Sequence, residues 1–280
     1  MLLGACRKKL EKEFREAGFD SPSIEADYIV SEVTKIPHME LFLHEEKLLA
    51  AEEEEKISSF LVRRLAHEPF QYIFGWTPFR YLDLEVGPGV LIPRPETEAL
   101  VDLILKRLPF HGEAAELGTG SGAIALSIAR ERGDSSVTAS DISPAALAIA
   151  EKNRQKYDLT NVTFLEGDLF APFPAGRKYD LLAANLPYID PARIEELAPN
   201  VRNYEPHSAL FAPEKGFALV RRAIEEAPQY LKAEKCALLF ELGEEQGQEA
   251  LRCALATGFF RKAYMEKDPF GISRFLIAER

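Results

Sequence analysis

Apolar positions in the first part of the chain recur with a helical period. Cys6, Leu10 and Phe14 fall four residues apart, and Gly18 stands where a helix C-terminal cap belongs. Ile24, Tyr28 and Val33 form a second stripe, and Ile57, Phe60, Leu61 and Leu65 a third. This third stretch opens on the acids 52–55 and closes on Arg63 and Arg64, the order that complements a helix dipole, so the acidic run reads as a solvated first turn. Residues 1–68 are expected to form a small helical bundle. Residues 69–98 change texture. Tyr81 to Val86 alternates as a strand does, Gly87-Pro88-Gly89 interrupts it, and Val90-Leu91-Ile92 leads into Pro93-Arg94-Pro95-Glu96-Thr97-Glu98. A β-hairpin linking two domains is the natural reading.

Residues 99–280 are expected to form the larger domain. From about residue 112, short apolar runs alternate with helical stretches, the signature of a mostly parallel sheet covered by helices. The runs are 114–117, 137–140, 162–165, 179–184 and 236–240. Ser143-Pro144 supplies an N-cap and a proline at the first helical position, ahead of a helix carrying Leu147 and Ile149.

Three of these predicted strands end in residues suited to holding a ligand. After the first comes Glu116-Leu117-Gly118-Thr119-Gly120-Ser121-Gly122, opening a helix with Ile124, Leu126 and Ile128. Its glycines permit a tight turn and close approach of a ligand to the backbone, and the helix start offers free N–H groups. The loop also fits a dinucleotide fingerprint, with Ala123 in the last glycine's place. Asp141, followed by Ile142, ends the second strand and would hold ribose hydroxyls in either case. Three features favour S-adenosylmethionine over a dinucleotide, the last of them the tetrapeptide 185–188 that ends the fourth strand. Glu116 suits a cationic, amino-acid-bearing cofactor better than a pyrophosphate, and Gly167-Asp168-Leu169 ends the third strand, where a methyltransferase contacts adenine.

Asn185-Leu186-Pro187-Tyr188 ends the fourth. An amide nitrogen is a poor nucleophile because its lone pair is delocalised into the carbonyl. Two acceptors on its N–H groups would hold it and favour pyramidalisation toward a methyl donor. The Asn185 side-chain oxygen and the Leu186 backbone carbonyl can be those acceptors, Pro187 stiffens the turn, and Tyr188 offers a stacking face. The same chemistry serves the exocyclic amine of adenine, so the tetrapeptide specifies a planar, conjugated nitrogen and leaves glutamine and adenine both open.

Composition narrows the field. The 280 residues carry a net charge of −11, which counts against a nucleic-acid substrate because phosphate neutralisation supplies most affinity there. Cys6, Cys236 and Cys253 lack paired spacing, which argues against a zinc site or a disulfide framework and suits a reducing compartment. No apolar run approaches a membrane span, and the basic cluster Arg7-Lys8-Lys9 follows the first apolar residues, the reverse of a secretory signal, so a cytosolic chain is expected.

The helical start, then 68–75 (Glu-Pro-Phe-Gln-Tyr-Ile-Phe-Gly), Val90 to Glu98, Glu205-Pro206 with Ala209-Leu210, Glu241-Leu242-Gly243 with Gln246-Gly247, and the closing stretch from Asp268 to Arg274 together resemble the HemK/PrmC family of release-factor glutamine methyltransferases. The resemblance runs nearly end to end, and its most specific element is Arg94-Pro95-Glu96-Thr97-Glu98. It implies a class I S-adenosylmethionine-dependent fold with a seven-stranded, mostly parallel sheet behind the helical domain and hairpin. It implies that the donor occupies the loop from Gly118 to Gly122, with Asp141, Leu169 and Asn185 around it. The implied acceptor is the glutamine of the Gly-Gly-Gln motif of class I peptide chain release factors, held by Asn185 to Tyr188. Two departures stand out: Leu186 replaces the usual proline of Asn-Pro-Pro-Tyr, and Glu116 replaces the usual Asp. A ribosomal-protein glutamine is a sibling substrate, and an adenine of RNA or DNA is the reading from another class. Arg94, Pro95, Glu96 and Thr97 either contact the substrate or donor or merely stiffen the hairpin exit.

Overall fold

The helical periodicity of the first stretch becomes α1 (Leu3–Glu16), α2 (Pro22–Thr34), a 3-10 helix (His38–His44), α3 (Ala51–Leu65) and α4 (Phe70–Phe74). The computed structural model describes all 280 residues, in two units that divide between Phe74 and Gly75. α4, within the stretch read as linker, packs with the helices: Ile73 joins Leu10, Phe14, Ile29, Val30, Leu41, Ile57 and Phe60 in their core. Gly18 ends α1 in a left-handed turn at φ +80°. Its N–H donates to Arg15 O and that of Phe19 to Phe14 O, while the Phe14 and Phe19 rings meet edge to face at 5.1 Å. α2 corrects its expected stripe. Ala26, Ile29 and Val30 are buried, while Ile24 and Tyr28 are 46% and 48% exposed. Arg64 joins α3 to α2 through two bonds to Glu25, at 2.6 and 2.8 Å.

The second unit opens with the hairpin β1 (Trp76–Phe79) and β2 (Leu82–Glu85). Burial alternates along β2, so Leu82 and Leu84 turn inward beside Phe79. The turn residue Arg80 is clamped, its guanidinium bonding Glu131 at 2.6 and 2.9 Å, Asp102 at 2.8 Å and the Glu98 carbonyl at 3.0 Å. Then follow α5 (Pro95–Leu105), β3 (Glu113–Leu117), α6 (Ala123–Glu131), β4 (Ser136–Asp141), α7 (Pro144–Lys156), β5 (Val162–Glu166), β6 (Leu181–Asn185), α8 (Pro199–Tyr204), α9 (His207–Leu210), α10 (Ala218–Glu226), β7 (Ala237–Glu241), α11 (Gly247–Ala256), β8 (Lys262–Lys267) and β9 (Ser273–Glu279).

The seven strands from β3 onward form one sheet in the order β5-β4-β3-β6-β7-β9-β8. The first five are mutually parallel, and β9 runs antiparallel to both β7 and β8. The central strands are buried on both faces, which is why β6 and β7 read as unbroken apolar runs instead of alternating. One core lies on each face: Ala114, Ala183 and Leu239 face one, and Ala115, Leu182 and Leu238 the other. α7 starts as expected, the Ser143 hydroxyl accepting from Ala146 N–H at 3.2 Å, although Ala146, Ala150 and Asn153 are its buried residues. No helix is long and apolar enough to cross a membrane.

Candidate active site

The strand order reverses between β3 and β6, and their carboxyl ends, with those of β4 and β5, open onto a cavity of about 310 Å³. The loop from β3 into α6 forms one wall. Glu116, Gly118, Thr119, Gly120 and Ser121 line it, whereas Gly122 lies behind as the N-cap of α6. Thr119 N–H donates to Ser140 O at 3.0 Å, tying the loop to β4. Gly118 has φ +69°, and a Cβ there would stand 3.1 Å from Leu186 Cδ2. Leu186 is itself buried, so it packs the tetrapeptide against the glycine loop.

Glu116 is buried at the end of β3. Its Oε2 accepts from the Thr119 hydroxyl at 2.7 Å and from Ala125 N–H at 3.0 Å, bracing the first turn of α6. Both bonds fall on one oxygen, which leaves Oε1 for a ligand. Asp141 accepts from Gly120 N–H at 2.8 Å through Oδ2 and from Ser143 N–H at 2.9 Å through Oδ1. Asp168 pairs with Arg222 at 2.6 Å. Leu169 takes a left-handed conformation, φ +47°, and its carbonyl accepts from the Ser140 hydroxyl at 2.8 Å. Ile142, Asp141, Asp168 and Leu169 all face the cavity.

On the opposite side Arg94, Thr97, Asn185, Leu186 and Pro187 contribute walls, while Tyr188, Pro95 and Glu96 do not. Arg94 N-caps α5, and its guanidinium binds Glu205 Oε1 at 2.6 Å; Glu205 Oε2 takes Ile92 N–H at 3.1 Å. Pro95 starts α5 and Glu96 occupies its first turn. The Tyr188 carbonyl accepts from Gln246 Nε2 at 3.0 Å. Burial, with the nearby Glu241 carboxylate, raises the Tyr188 phenol, which stays neutral at physiological pH. Wall residues not named as site candidates include Gly89, Pro93, Ser208, Ala209 and Leu219. The first two sit in the quoted hairpin stretch and Ala209 in the quoted 205–210 stretch; Ser208 and Leu219 carry no local signal, since only the fold brings them to β6.

The cavity's charge suits a cation. Arg94 is neutralised by Glu205 and Asp168 by Arg222, so Glu116 and Asp141 set the local field. Burial pushes Glu116 up to about 8 against the two bonds it accepts, with Asp141 adding to the rise. Burial likewise raises Asp141 above the usual carboxylate range, opposed by the Ser143 and Gly120 N–H groups. Near neutral pH this leaves Glu116 mostly protonated in the ligand-free protein, and a sulfonium or ammonium group placed beside it would favour its ionised form, whereas a pyrophosphate would not.

The same shift makes stability depend on pH. Because Glu116 rises on folding, its neutral form stabilises the ligand-free protein fully below about 4.5, and that contribution disappears as pH climbs through about 8. Thermal midpoints of the ligand-free protein should therefore fall from pH ~5 to ~8, by an amount worth a few kcal/mol. Glu116→Gln, which keeps an oxygen for both bonds, should flatten that part of the curve. An unchanged slope in the variant would assign it to another group.

Both units have counterparts among known proteins. The PrmC N-terminal domain model matches residues 5–75, and a methyltransferase domain model matches 114–204. The release factor glutamine methyltransferase of Coxiella burnetii is 38% identical over 262 residues, 93% of this chain and 92% of that one. Its Vibrio cholerae counterpart is 36% identical over 276 residues, 98% and 96% of the two chains. A methyltransferase crystal structure from Pyrococcus furiosus superposes with a TM-score of 0.52 at 18% identity, covering 82% of this chain and 98% of that one, a likeness of fold alone.

Proposed function

The chain belongs to the family of release factor glutamine methyltransferases, and on that premise we propose that it methylates the side-chain amide nitrogen of a release-factor glutamine, the one in the Gly-Gly-Gln motif of class I factors. Likeness to those relatives over both units carries this reading. S-adenosylmethionine, when bound, supplies an electrophilic methyl group. The residues present fit it: Asp141 offers carboxylate oxygens to ribose hydroxyls, Leu169 lies in the turn after β5 beside the cavity, and Glu116 Oε1 is free for a cationic group.

The protein's own work is positioning. Asn185 Oδ1 and the Leu186 carbonyl would accept from the two N–H bonds of the target amide and so orient its nitrogen for transfer. Pro187 fixes the turn, and buried Leu186 keeps water from the loop side. Methylation would make the amide N–H acidic and its proton would pass to solvent, so the protein need supply no strong base beforehand. Tyr188 packs beside Gly243, behind the cavity wall, so a stacking role for its ring is an expectation carried by the tetrapeptide and not by a contact with the cavity. A cytoplasmic location goes with an acceptor that works in translation.

Incubation with methyl-labelled donor and an equal mixture of release factor, ribosomal proteins and RNA tests the reading. Label should appear on the release factor. Label on ribosomal protein would move the reading to the sibling substrate, and label on RNA alone would overturn it.

A further inference from the structure

Parallel register sets Asn185, at the end of β6, directly beside Glu241, at the end of β7. α5 inserts Thr97 between them. Asn185 Nδ2 donates to Thr97 Oγ1 at 3.2 Å, and Thr97 Oγ1 donates to Glu241 Oε2 at 2.8 Å. Thr97 and Glu241 are 4% and 2% exposed, so water does not compete for these bonds.

A hydroxyl has one proton, and this decides the direction of the chain. An ionised carboxylate only accepts, so Thr97 must give its proton to Glu241 and can offer Asn185 only a lone pair. The amide then turns its NH2 toward Thr97 and its Oδ1 away, toward the cavity. A protonated Glu241 can donate to Thr97 instead. The hydroxyl proton is then free to point at Asn185 and stabilise the flipped amide, with NH2 facing the cavity. Two NH2 groups face to face cannot bond, so the flipped amide cannot hold the target nitrogen.

We propose that Thr97 and Glu241 are positioning residues that set which end of the Asn185 amide meets the substrate, and that protonation of Glu241 switches the site off. The proposal rests on the reading of Asn185 Oδ1 as an acceptor for the glutamine amide. The groups around Glu241 put the switch in the neutral range. Burial raises it to about 7, and Glu96 on α5 adds to the rise; the Thr97 hydroxyl, Arg274 of β9 and the Asn185 amide pull the other way. Arg274 is itself held by Asp268 at 3.0 Å, which divides its charge between two carboxylates. Tyr188 is neutral, and Arg94 is paired with Glu205.

The test is the pH dependence of kcat at saturating donor and release factor, which removes Glu116's influence on donor binding. Wild-type kcat should rise through one ionisation near neutrality. Thr97→Val should lower kcat about 10- to 100-fold with little change in KM for the donor. It should also lose that ionisation, while Thr97→Ser restores both. Glu241→Gln cannot ionise and should give a flat profile; this holds the proposal to account even if Thr97→Val does not fold. Wild-type kcat in Thr97→Val, or a neutral ionisation surviving in Glu241→Gln, would overturn the relay. No transfer to glutamine by the wild type would instead remove the reading on which the relay rests.

Discussion

Asn185→Ala is expected to lower kcat by about 10²- to 10³-fold while donor binding survives in large part. The side chain supplies one of two acceptors that hold the target nitrogen, and the other, the Leu186 carbonyl, belongs to the backbone and survives the change. The donor keeps Asp141, the glycine loop and the Leu169 turn. The variant also frees Thr97, whose hydroxyl still has Glu241 as partner, so no buried donor is orphaned and the fold should hold. Calorimetric donor titration beside single-turnover transfer separates the two effects. Unimpaired transfer would show that the amide is not an acceptor; lost donor binding would make it a cofactor residue instead.

The second large effect comes from a residue outside the cavity. Gly216 has φ +87°, and a Cβ there would lie 2.0 Å from the Tyr188 carbonyl oxygen, 2.5 Å from its carbon and 3.0 Å from Gln246 Nε2. The first two obstacles are backbone, so Gly216→Ala must move either the 212–217 turn or the tetrapeptide. Either movement breaks the Gln246–Tyr188 bond that fixes the far end of the tetrapeptide. A stability loss of about 2–4 kcal/mol and at least tenfold slower transfer are expected. Gly258 is the control. Its φ is +67° with nothing within 4 Å of an added Cβ, so Gly258→Ala should cost only the left-handed strain, about 1–2 kcal/mol, with normal kcat. Equal effects at the two positions would mean that the tetrapeptide does not need its tight packing.

Much of the fold was legible because burial and periodicity coincide. β3 to β7 stand on the apolar runs, the Ser143 cap on its Ser-Pro pair, and the α1 terminus on Gly18. α2 misled because large apolar residues drew the stripe. The packed face uses Ala26, Ile29 and Val30, while the Tyr28 ring lies on the surface, 5.5 Å from Phe70. The run from Phe275 to Ala278 is fully buried and was the available signal for β9, but its half-buried partner β8, with exposed Lys262 and Lys267, shows no clear period. At the site, residues that touch a ligand were legible from strand ends, whereas the pairing of those that hold them was not. Thr97, Glu205, Glu241 and Gln246 were visible as parts of motifs, but Thr97–Asn185, Glu205–Arg94, Gln246–Tyr188 and Glu241–Thr97 are bonds across 58 to 144 positions of sequence, a separation that no local pattern encodes. Glu116 shows the same limit. Its place before the glycines marked it as facing a cofactor, yet one of its oxygens is committed to the start of α6.

The most direct measurement is fragmentation mass spectrometry of a release factor incubated with this protein and S-adenosylmethionine. The account predicts one added methyl group, on the side-chain amide of the Gly-Gly-Gln glutamine, formed at least about a hundredfold more slowly when Asn185→Ala replaces the wild type. A methyl on any other residue, or an unmodified factor beside methylated RNA, would contradict it.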